Sequence, residues 1–261
     1  MSTQRVFITG ASSGLGAALA RQYAQQGAQL GLVARRRELL EQLVATLPNA
    51  AQHRVYPVDV TDHVALAAAA QDFIAQGGID IVIANAGISV GTLTDQAADL
   101  AVFQRVIDTN LIATVATFAP FIAAMQSQPR PGQRLVGIGS LAGIRGLPGA
   151  GAYSASKAAV ISYCESLRVE LRDSGIRVVT IAPGYIDTPM TRANAYPMPF
   201  LMPAEQFAAQ ALAVIAAGNR YRVLPWQMAI VARLLRLMPR ALYDLAFSKA
   251  PHKARSDHAV H

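Results

Sequence analysis

Apolar runs of strand length alternate with helix-like stretches along most of the chain, and this alternation limits the possible folds more than any other feature of the sequence. The apolar runs occupy residues 5–9, 29–34, 54–58, 79–84, 134–139 and 176–182. The stretches between them carry alanine and leucine at helical spacing over residues 14–27, 36–47, 62–77, 97–127 and 153–174. Strands buried on both faces have continuous apolar sequences, so the pattern predicts an α/β fold with a doubly wound parallel sheet in a single domain.

The charge of the chain is concentrated near its C-terminus. Residues 218–261 contain eight arginines and lysines against Asp244 and Asp257, so this segment carries +6 of the formal net charge of +7. The preceding residues are nearly balanced in charge and contain no basic stripe of the kind that follows a phosphate backbone. The sequence therefore predicts no nucleic-acid partner, despite its positive charge.

Two features favour a protein of the reducing cytoplasm. The opening residues, MSTQRVFITG, lead directly into an apolar strand, without the longer apolar region and cleavage site of a secretory signal. Cys164 is the only cysteine, so it cannot form an internal disulfide, and its place in a helix-like segment predicts a small buried side chain.

The segment TGASSGLG, residues 9–16, connects the first predicted strand to the first predicted helix. Its glycines permit a tight turn and a close approach of a pyrophosphate to the backbone, while the amides at the helix N-terminus point toward such an anion. A glycine-rich turn at this position is also compatible with a purely structural role, so the turn alone leaves both interpretations open.

Thr9, Gly10, Gly14 and Gly16 fit the pattern TGxxxGxG, on which the sequence resembles the classical short-chain dehydrogenase/reductase (SDR) family. The resemblance extends over residues 4–217 and implies a Rossmann-like fold that binds a nicotinamide dinucleotide. The motifs imply cofactor contacts from Thr9, Gly10, Ser12, Ser13, Gly14, Leu15, Gly16, Arg35, Arg36, Asp59, Val60, Asn85, Ala86, Gly87, Tyr153, Lys157, Pro183, Gly184, Ile186 and Thr188. A role in capping or forming a turn is the alternative for Asp59 and for residues 85–87.

The end of the second predicted strand, VARRR, favours NADP(H) over NAD(H). An NAD-specific member of the family would carry an acidic residue here for the ribose hydroxyls, and an acid would repel a 2′-phosphate. Arg35, with Arg36, can bind that phosphate through charge-assisted hydrogen bonds, and Ser12 or Ser13 can add a donor. The alternative is a solvated basic turn without a ligand.

Tyr153 and Lys157 lie four residues apart in the segment YSASK, in a chain that has only three lysines. Residues at this spacing share one face of a helix. Lowering the pKa of a phenol from about 10 to about 7 requires ~4 kcal/mol of preferential stabilisation of the phenolate, and a nearby ammonium supplies much of it. The pair is therefore predicted to act as an acid/base and its electrostatic partner.

The resemblance adds two residues to this catalytic group. Ser140 ends the fifth predicted strand thirteen residues before Tyr153, which is the family's position for the serine that orients the substrate oxygen. Asn110 matches the family asparagine whose backbone helps hold a water of the proton relay; a structural polar residue inside a helix is the alternative. The same resemblance implies that Pro183, Gly184 and Thr188 fix the nicotinamide carboxamide.

An apolar substrate is predicted from the residues near the catalytic group. The segment between Asp187 and Pro203 is rich in methionine and aromatic residues and is long enough to form a lid. The predicted substrate contacts are Ser140, Leu141, Leu147, Tyr153, Tyr185 and Met190. Packing of several of these side chains against the body of the protein is the alternative.

Beyond the family pattern, the sequence divides into three parts: a catalytic domain over 1–217, a helical extension over 218–248 that is apolar and basic, and a polar tail over 249–261. The segment 226–248 is too short and interrupted to span a bilayer, so it is expected at a subunit contact or on the inner face of a membrane. The family resemblance implies a homodimer or homotetramer. The histidines of the tail have no metal-ligand partners at suitable spacing, and no metal site is predicted.

The predicted function is therefore NADP(H)-dependent interconversion of a carbonyl and a secondary alcohol on a hydrophobic small molecule. Two alternatives remain open at this point. A 3-oxoacyl-thioester reductase would need basic residues such as Arg145 or Arg192 near the entrance of the site, to bind an acidic carrier. A protein that senses NADP(H) without catalysis would keep the fold and bind the cofactor without turnover.

Overall fold

Seven of the nine strands form one parallel sheet in the computed structural model, which describes residues 3–194, 196–248, 250, 253 and 255. In chain order the strands are β1 (Arg5–Thr9), β2 (Gln29–Val33), β3 (Arg54–Tyr56), β4 (Ile81–Ala84), β5 (Arg134–Ile138), β6 (Arg177–Pro183), β7 (Ile186–Asp187), β8 (Met202–Pro203) and β9 (Tyr221–Leu224). The large sheet has the order β3-β2-β1-β4-β5-β6-β9, and β7 pairs with β8 separately.

Ten α-helices lie within the described residues. They are α1 (Gly14–Gln25), α2 (Arg37–Ala45), α3 (His63–Ala75), α4 (Asp99–Ile107), α5 (Ala113–Ser127), α6 (Gly151–Glu170), α7 (Pro189–Arg192), α8 (Ala204–Ala217), α9 (Trp226–Leu237) and α10 (Arg240–Phe247). A π-helical turn, Asp108–Ile112, joins α4 to α5, and short 3-10 turns lie at Ala50–Gln52 and Leu141–Gly143.

The strand order confirms the predicted doubly wound, Rossmann-like α/β fold in a single domain. The direction of winding reverses between β1 and β4, and such a reversal opens a crevice at the carboxyl ends of the strands. The third strand is shorter than its apolar run predicted: it ends at Tyr56 because Pro57 has no N–H to donate to a strand ladder.

Alternation along β1 shows how the sheet builds a core on each face. Val6 and Ile8 point into one apolar cluster, which includes residues of α1 and α8. Phe7 points into the opposite cluster, which contains residues of α3, α5 and α6. All three side chains are fully buried, since a parallel sheet between two helical layers exposes neither face to water.

The sheet also includes β9, which pairs in parallel with β6. This strand follows the boundary predicted between residues 217 and 218, and within the predicted extension the part outside the sheet starts at Pro225. Truncation at that predicted boundary would remove an edge strand of the central sheet. Of the predicted polar tail, only residues 250, 253 and 255 lie within the described residues.

Helices α9 and α10 each bury one side and expose apolar residues on the other. Met228 and Ala232 of α9 pack against the body, as does Tyr243 of α10. The exposed apolar residues are Trp226, Ile230, Leu234, Leu237, Leu242 and Leu245. Pro239 lies between the two helices as the N-cap residue of α10.

One continuous helical stretch, Asp99–Ser127, is long and apolar enough to cross a membrane by length and composition, with a mean hydropathy of 1.5. This is weak evidence for a membrane span, since core helices of soluble proteins meet the same criterion. Phe118, Phe121 and Met125 in its second half are fully buried in the core.

Candidate active site

A cleft of about 440 Å³ opens at the carboxyl ends of the strands, at the point where the winding reverses. Most of the predicted cofactor residues line it: Gly10, Ser12, Ser13, Gly14, Leu15, Arg35, Arg36, Asp59, Val60, Asn85, Ala86, Gly87, Tyr153, Lys157, Pro183, Gly184, Ile186 and Thr188. Thr9 and Gly16 are not among the lining residues, and their contacts lie in the layer beneath. Residues near the carboxyl ends of β1, β2, β3, β4 and β6 and on helix α6 therefore meet at one site.

The glycines of the turn between β1 and α1 are required by close backbone contacts. Gly10 has a φ of +68°, and a side chain there would place its Cβ 2.8 Å from the Cα of Ala86. At Gly16 a Cβ would lie 2.2 Å from the carbonyl oxygen of Gly10. The first turn of α1 contains no acidic residue, so its amides are available to an anion. These features fit the pyrophosphate of a dinucleotide.

Asn85 holds the glycine turn in place. Its Nδ2 donates hydrogen bonds to the carbonyl oxygens of Thr9 (2.9 Å) and Gly10 (3.2 Å). The Thr9 hydroxyl accepts in return from the backbone amides of Asn85 (3.1 Å) and Ala86 (3.2 Å). Thr9 and Asn85 thus fasten the end of β1 to the end of β4, which gives the predicted motif a structural role beneath the cleft.

Arg35 and Arg36 extend from the end of β2 along the rim of the cleft. Arg36 Nη2 donates to Ser12 Oγ at 3.3 Å, and Arg35 Nη1 lies 4.0 Å from Asp59 Oδ2. Asp59 also caps a turn, because its Oδ1 accepts from the amide (3.0 Å) and the hydroxyl (2.8 Å) of Thr61. Both arginine side chains are exposed at the same corner as Ser12. This corner offers cationic and hydroxyl donors to a phosphate monoester.

Tyr153, Ser140 and Lys157 meet at the inner end of the cleft. Ser140 follows β5 and forms a hydrogen bond with Tyr153, and its Oγ also accepts from the amide of Ala142 at 3.1 Å. Lys157 Nζ lies 6.0 Å from the centre of the Tyr153 ring and donates to the carbonyl oxygen of Ile138 at 2.9 Å. Helix α6 supplies the tyrosine and the lysine on one face, one turn apart.

Burial dominates the electrostatics of this group. It raises the pKa of Tyr153, and the hydrogen bond with Ser140 acts in the opposite direction. Burial also lowers the pKa of Lys157 to about 8, because the ammonium loses its hydration and gains no carboxylate partner among the described residues. The sequence predicted that Lys157 would lower the pKa of Tyr153, and in the structure the larger effect on the phenol is desolvation.

Asn110 lies beneath the lysine rather than in the lining of the cleft, and it is fully buried. Its Oδ1 accepts from the amide of Ile88 (2.8 Å), while its Nδ2 donates to Ile88 O (3.0 Å) and Ser156 Oγ (2.9 Å). Ser156 in turn donates to Tyr153 O at 2.8 Å. Asn110 belongs to the π-helical turn, a distortion that often occurs at functional sites.

Only some of the predicted substrate residues line the cleft. Ser140, Tyr153 and Met190 line the cleft. Leu141 and Tyr185 instead pack against the cluster that contains Met228 of α9, as the packing alternative predicted. Leu147 donates its backbone N–H to Ser154 Oγ (3.1 Å), and the ring of Tyr185 meets that of Tyr196 edge-on at 6.4 Å.

Arg145 and Arg192, the basic residues considered for an acidic carrier, are both engaged within the chain. Arg145 Nη1 donates to the carbonyl oxygens of Leu235 (3.2 Å) and Met238 (3.1 Å) at the end of α9. Arg192 makes a two-point ion pair with Asp187, at 2.7 and 3.2 Å. These contacts stabilise local structure, and neither arginine is among the residues that line the cleft.

Several residues at the site were missed by the sequence analysis. Arg105, Asp108 and Thr109 line the cleft from the end of α4 and the π-helical turn. The signal that could have found them is their place in the RVIDTN segment that ends at Asn110, because neighbouring turns of one helix approach the same site. Lys253 and Arg255 also reach this region, from a tail to which the sequence analysis assigned no site.

A Rossmann-like sheet whose crevice holds a glycine turn and a serine–tyrosine–lysine group defines a class of oxidoreductases. Comparison with known proteins specifies that class. Residues 4–197 match the family model described as short chain dehydrogenase. The chain therefore belongs to the short-chain dehydrogenase/reductase family, as its motifs predicted.

Similar proteins include relatives of nearly the same length. An uncharacterized oxidoreductase of Myxococcus xanthus strain DK1622 is 39% identical over 249 residues, which covers 94% of this chain and 97% of that protein. An uncharacterized oxidoreductase of Mycobacterium tuberculosis strain CDC 1551 is 37% identical over 247 residues, covering 93% and 96%. The crystal structure of levodione reductase is 28% identical with a TM-score of 0.77, covering 88% of this chain and 99% of that one.

Proposed function

We propose that this protein is an NADP(H)-dependent oxidoreductase that interconverts a carbonyl group and a secondary alcohol on an apolar small molecule. One observation carries the proposal: Ser140, Tyr153 and Lys157 open onto the same cleft as the glycine turn and the arginines that follow β2. A proton donor, its oxygen-orienting partner and a nucleotide-binding turn thus converge on one space, as the transfer of a proton and a hydride to one carbonyl requires.

A nicotinamide bound in the cleft would supply or accept the hydride. The chain itself handles the proton. In the reductive direction the Tyr153 hydroxyl, held by its hydrogen bond with Ser140, donates its proton to the oxygen that gains charge as the carbonyl is reduced. Lys157 stabilises the phenolate that remains. In the oxidative direction the phenolate accepts the proton of the alcohol.

The preference for NADP(H) is supported by the corner formed by Ser12, Arg35 and Arg36. An exposed arginine pair beside a serine hydroxyl provides donors for the 2′-phosphate that distinguishes the two cofactors. Asp59 already lies 4.0 Å from Arg35, so the guanidinium is oriented toward the cleft before a nucleotide binds.

The preference for an apolar substrate is supported by the lid residues around Met190. Met190, Phe200 and Leu201 are 39%, 52% and 46% exposed, and these are high exposed fractions for large apolar side chains. Burial of these side chains against a substrate would remove their apolar surface from water.

The direct test is a screen for oxidation of NADPH with long-chain, cyclic and aromatic ketones, followed by the Tyr153→Phe variant with each active compound. Turnover in the wild type that is lost in the variant supports the proposal. Tight binding of NADPH without turnover of any ketone would instead indicate a sensor of the cofactor.

We further propose that the protein acts in the cytoplasm as a dimer or tetramer. Exposed apolar residues on α4 and on the turn that follows it support such a contact, because Leu100 is 73% exposed, Phe103 37% and Ile112 40%. Light scattering of the wild type and of Leu100→Glu with Phe103→Glu tests it: the wild type should give a multiple of the 27.7 kDa chain mass, and the variant a smaller species.

The exposed apolar face of α9 and α10 is proposed as a second subunit contact. Leu234, Leu237 and Leu245 are 61%, 80% and 75% exposed on it. Because β9 belongs to the sheet, the test uses Leu234→Glu with Leu237→Glu in the full chain instead of a truncation. A fall in oligomer mass supports the subunit contact, whereas loss of co-sedimentation with anionic vesicles at unchanged mass would assign the face to a membrane surface.

A further inference from the structure

The C-terminal tail brings a second ammonium group to the catalytic tyrosine. Lys253 Nζ lies 5.8 Å from the centre of the Tyr153 ring, close to the 6.0 Å of Lys157 Nζ. It donates a hydrogen bond to Ser89 Oγ at 2.7 Å, in the loop that follows β4. Of the three lysines in the chain, two therefore approach the same tyrosine.

A two-point ion pair between Arg255 and Asp99 anchors this part of the tail. Arg255 Nε and Nη2 lie 2.9 and 3.0 Å from the two carboxylate oxygens of Asp99, at the beginning of α4. Asp99 is only 8% exposed and also accepts a hydrogen bond from the amide of Leu93 at 2.7 Å. A bidentate pair between arginine and a buried carboxylate has a defined geometry. The ion pair between Arg255 and Asp99 thus holds Lys253, which lies two residues before Arg255, against the loop of residues 88–93.

Lys253 is partly buried, and its contacts there are neutral. Within residues 3–194, 196–248, 250, 253 and 255, it meets a hydroxyl and an aromatic ring, and no carboxylate lies within ion-pair distance. Burial lowers the pKa of its ammonium to about 8. A cation that has lost hydration without gaining an anion is destabilised, and an anionic ligand would offset that cost.

We propose that Lys253 and Ser89 form a subsite for an anionic group of the substrate, so that the preferred substrates are apolar keto acids or the matching hydroxy acids. The subsite rests on the proposed function, since it places the anion near the ring of the tyrosine whose hydroxyl protonates the carbonyl oxygen. Apolar lid residues contact the body of such a molecule, and the ammonium and the hydroxyl bind its carboxylate. The tail thereby determines specificity in the reaction.

The test compares keto acids with their methyl esters, using the full chain and NADPH. Benzoylformate, benzoylpropionate and benzoylbutyrate place the carboxylate at increasing distances from the same aryl ketone. For at least one of them, we expect kcat/KM of the acid to exceed that of the ester about tenfold, the effect of one charge-assisted hydrogen bond. Lys253→Met should bring this ratio close to one, and Lys253→Arg should keep part of it.

Two further variants separate the subsite from general effects of charge. Arg172→Met removes one positive charge from an exposed side chain and should keep the wild-type ratio of acid to ester. Asp99→Asn retains an acceptor for the Leu93 amide and removes the charge that holds Arg255, so it should lower the ratio without changing Lys253. An equal ratio in the wild type and Lys253→Met overturns the proposal, as does a rise in kcat/KM for all substrates, which would mean that the tail blocks the site.

If the protein turns over no ketone, that result counts against the proposed function alone. A binding measurement then tests the subsite. Phenylbutyrate, which has the carboxylate without the ketone, is added to the protein with NADP⁺, and the melting temperature is recorded. A rise in the wild type that is absent in Lys253→Met supports the subsite. An equal rise in both proteins, or no rise in either, overturns it.

Discussion

The two ends of the cleft are built in different ways. At the cofactor end, the glycine turn and the residues that follow β2 and β4 belong to short motifs, and Arg36 bonds to a serine only 24 residues away. At the substrate end, Lys253 and Arg255 contact partners 164 and 156 residues earlier in the chain. The cofactor end depends on close backbone contacts of the glycine turn, and the other end is reached by a distant segment.

This difference explains why a family can share its cofactor end and vary its substrate end. A glycine at residue 16 is required by a backbone oxygen that a Cβ would approach to 2.2 Å, so substitution there would disturb the turn itself. The substrate end depends on side chains whose replacement leaves the backbone intact. New specificity can therefore arise from the loop of residues 88–93 and the tail while the sheet and the glycine turn remain unchanged.

The largest expected effect separates catalysis at the substrate end from binding of the cofactor at the other end. Tyr153→Phe retains the ring and its burial but removes the transferable proton, so kcat should fall about a thousandfold. The affinity for NADPH, measured by fluorescence titration, should change less than about twofold, because the glycine turn and the arginines are untouched. Tyr163→Phe is the matched control, since Tyr163 lies on the same helix as Tyr153 and its ring stacks on Phe118 of α5, away from the cleft. A Tyr153→Phe variant with more than a tenth of the wild-type kcat would contradict the assigned proton donor.

Lys157→Met should reveal the cost of placing an ammonium at the junction of the two ends. The pKa of Lys157 is lowered from 10.5 in the unfolded chain to about 8 in the folded protein, so below pH 8 the wild type bears the full cost of a buried charge. Between pH 8 and 10.5 the folded state loses a proton that the unfolded state keeps, and the wild-type stability should rise by about 3 kcal/mol relative to the variant.

Urea unfolding of the wild type and Lys157→Met at several pH values measures this effect. The groups that face Lys157 are Tyr153 and Cys164 on α6 and the carbonyl of Ile138. The variant should be the more stable protein at pH 7 while lacking most activity, and its advantage should shrink above pH 8. Parallel stability curves for the two proteins would argue against a buried charged lysine.

Arg35→Asp affects the cofactor end alone. It replaces a donor to the 2′-phosphate with a repelling charge, so the affinity for NADPH should fall at least about tenfold, whereas that for NADH should change much less. Arg37→Asp is the control, because Arg37 pairs with Glu41 on α2 and does not line the cleft. Equal losses for the two cofactors would mean that Arg35 stabilises the rim without contacting the phosphate.

The comparison of the two ends also shows which parts of the structure could be predicted from the sequence. Strand periodicity and the order of motifs were enough to predict the sheet, and the spacing of Tyr153 and Lys157 placed them one helical turn apart. Strand β9 lies in the segment predicted as the extension, because the sequence of a short edge strand does not indicate which strand it pairs with. The contacts of Lys253 were beyond prediction, since nothing local to a polar tail indicates which buried carboxylate its neighbour Arg255 will meet.

The smallest effect should come from Thr92, which joins the loop of residues 88–93 to the beginning of α6. Its buried Oγ1 accepts a hydrogen bond from the amide of Ala152 at 3.3 Å, and its backbone forms a bridge with Ala150. Thr92→Val keeps the shape of the side chain and leaves that amide without its acceptor, so stability should fall by about 1 kcal/mol. Because the loop carries Ser89 and the helix carries Tyr153, KM for the ketone should rise severalfold at unchanged affinity for NADPH. Thr46→Val, at the end of α2, removes a hydrogen bond to Leu43 O far from this junction and should leave KM unaltered. A change in NADPH affinity with Thr92→Val would show that the two ends of the cleft are mechanically coupled through α6.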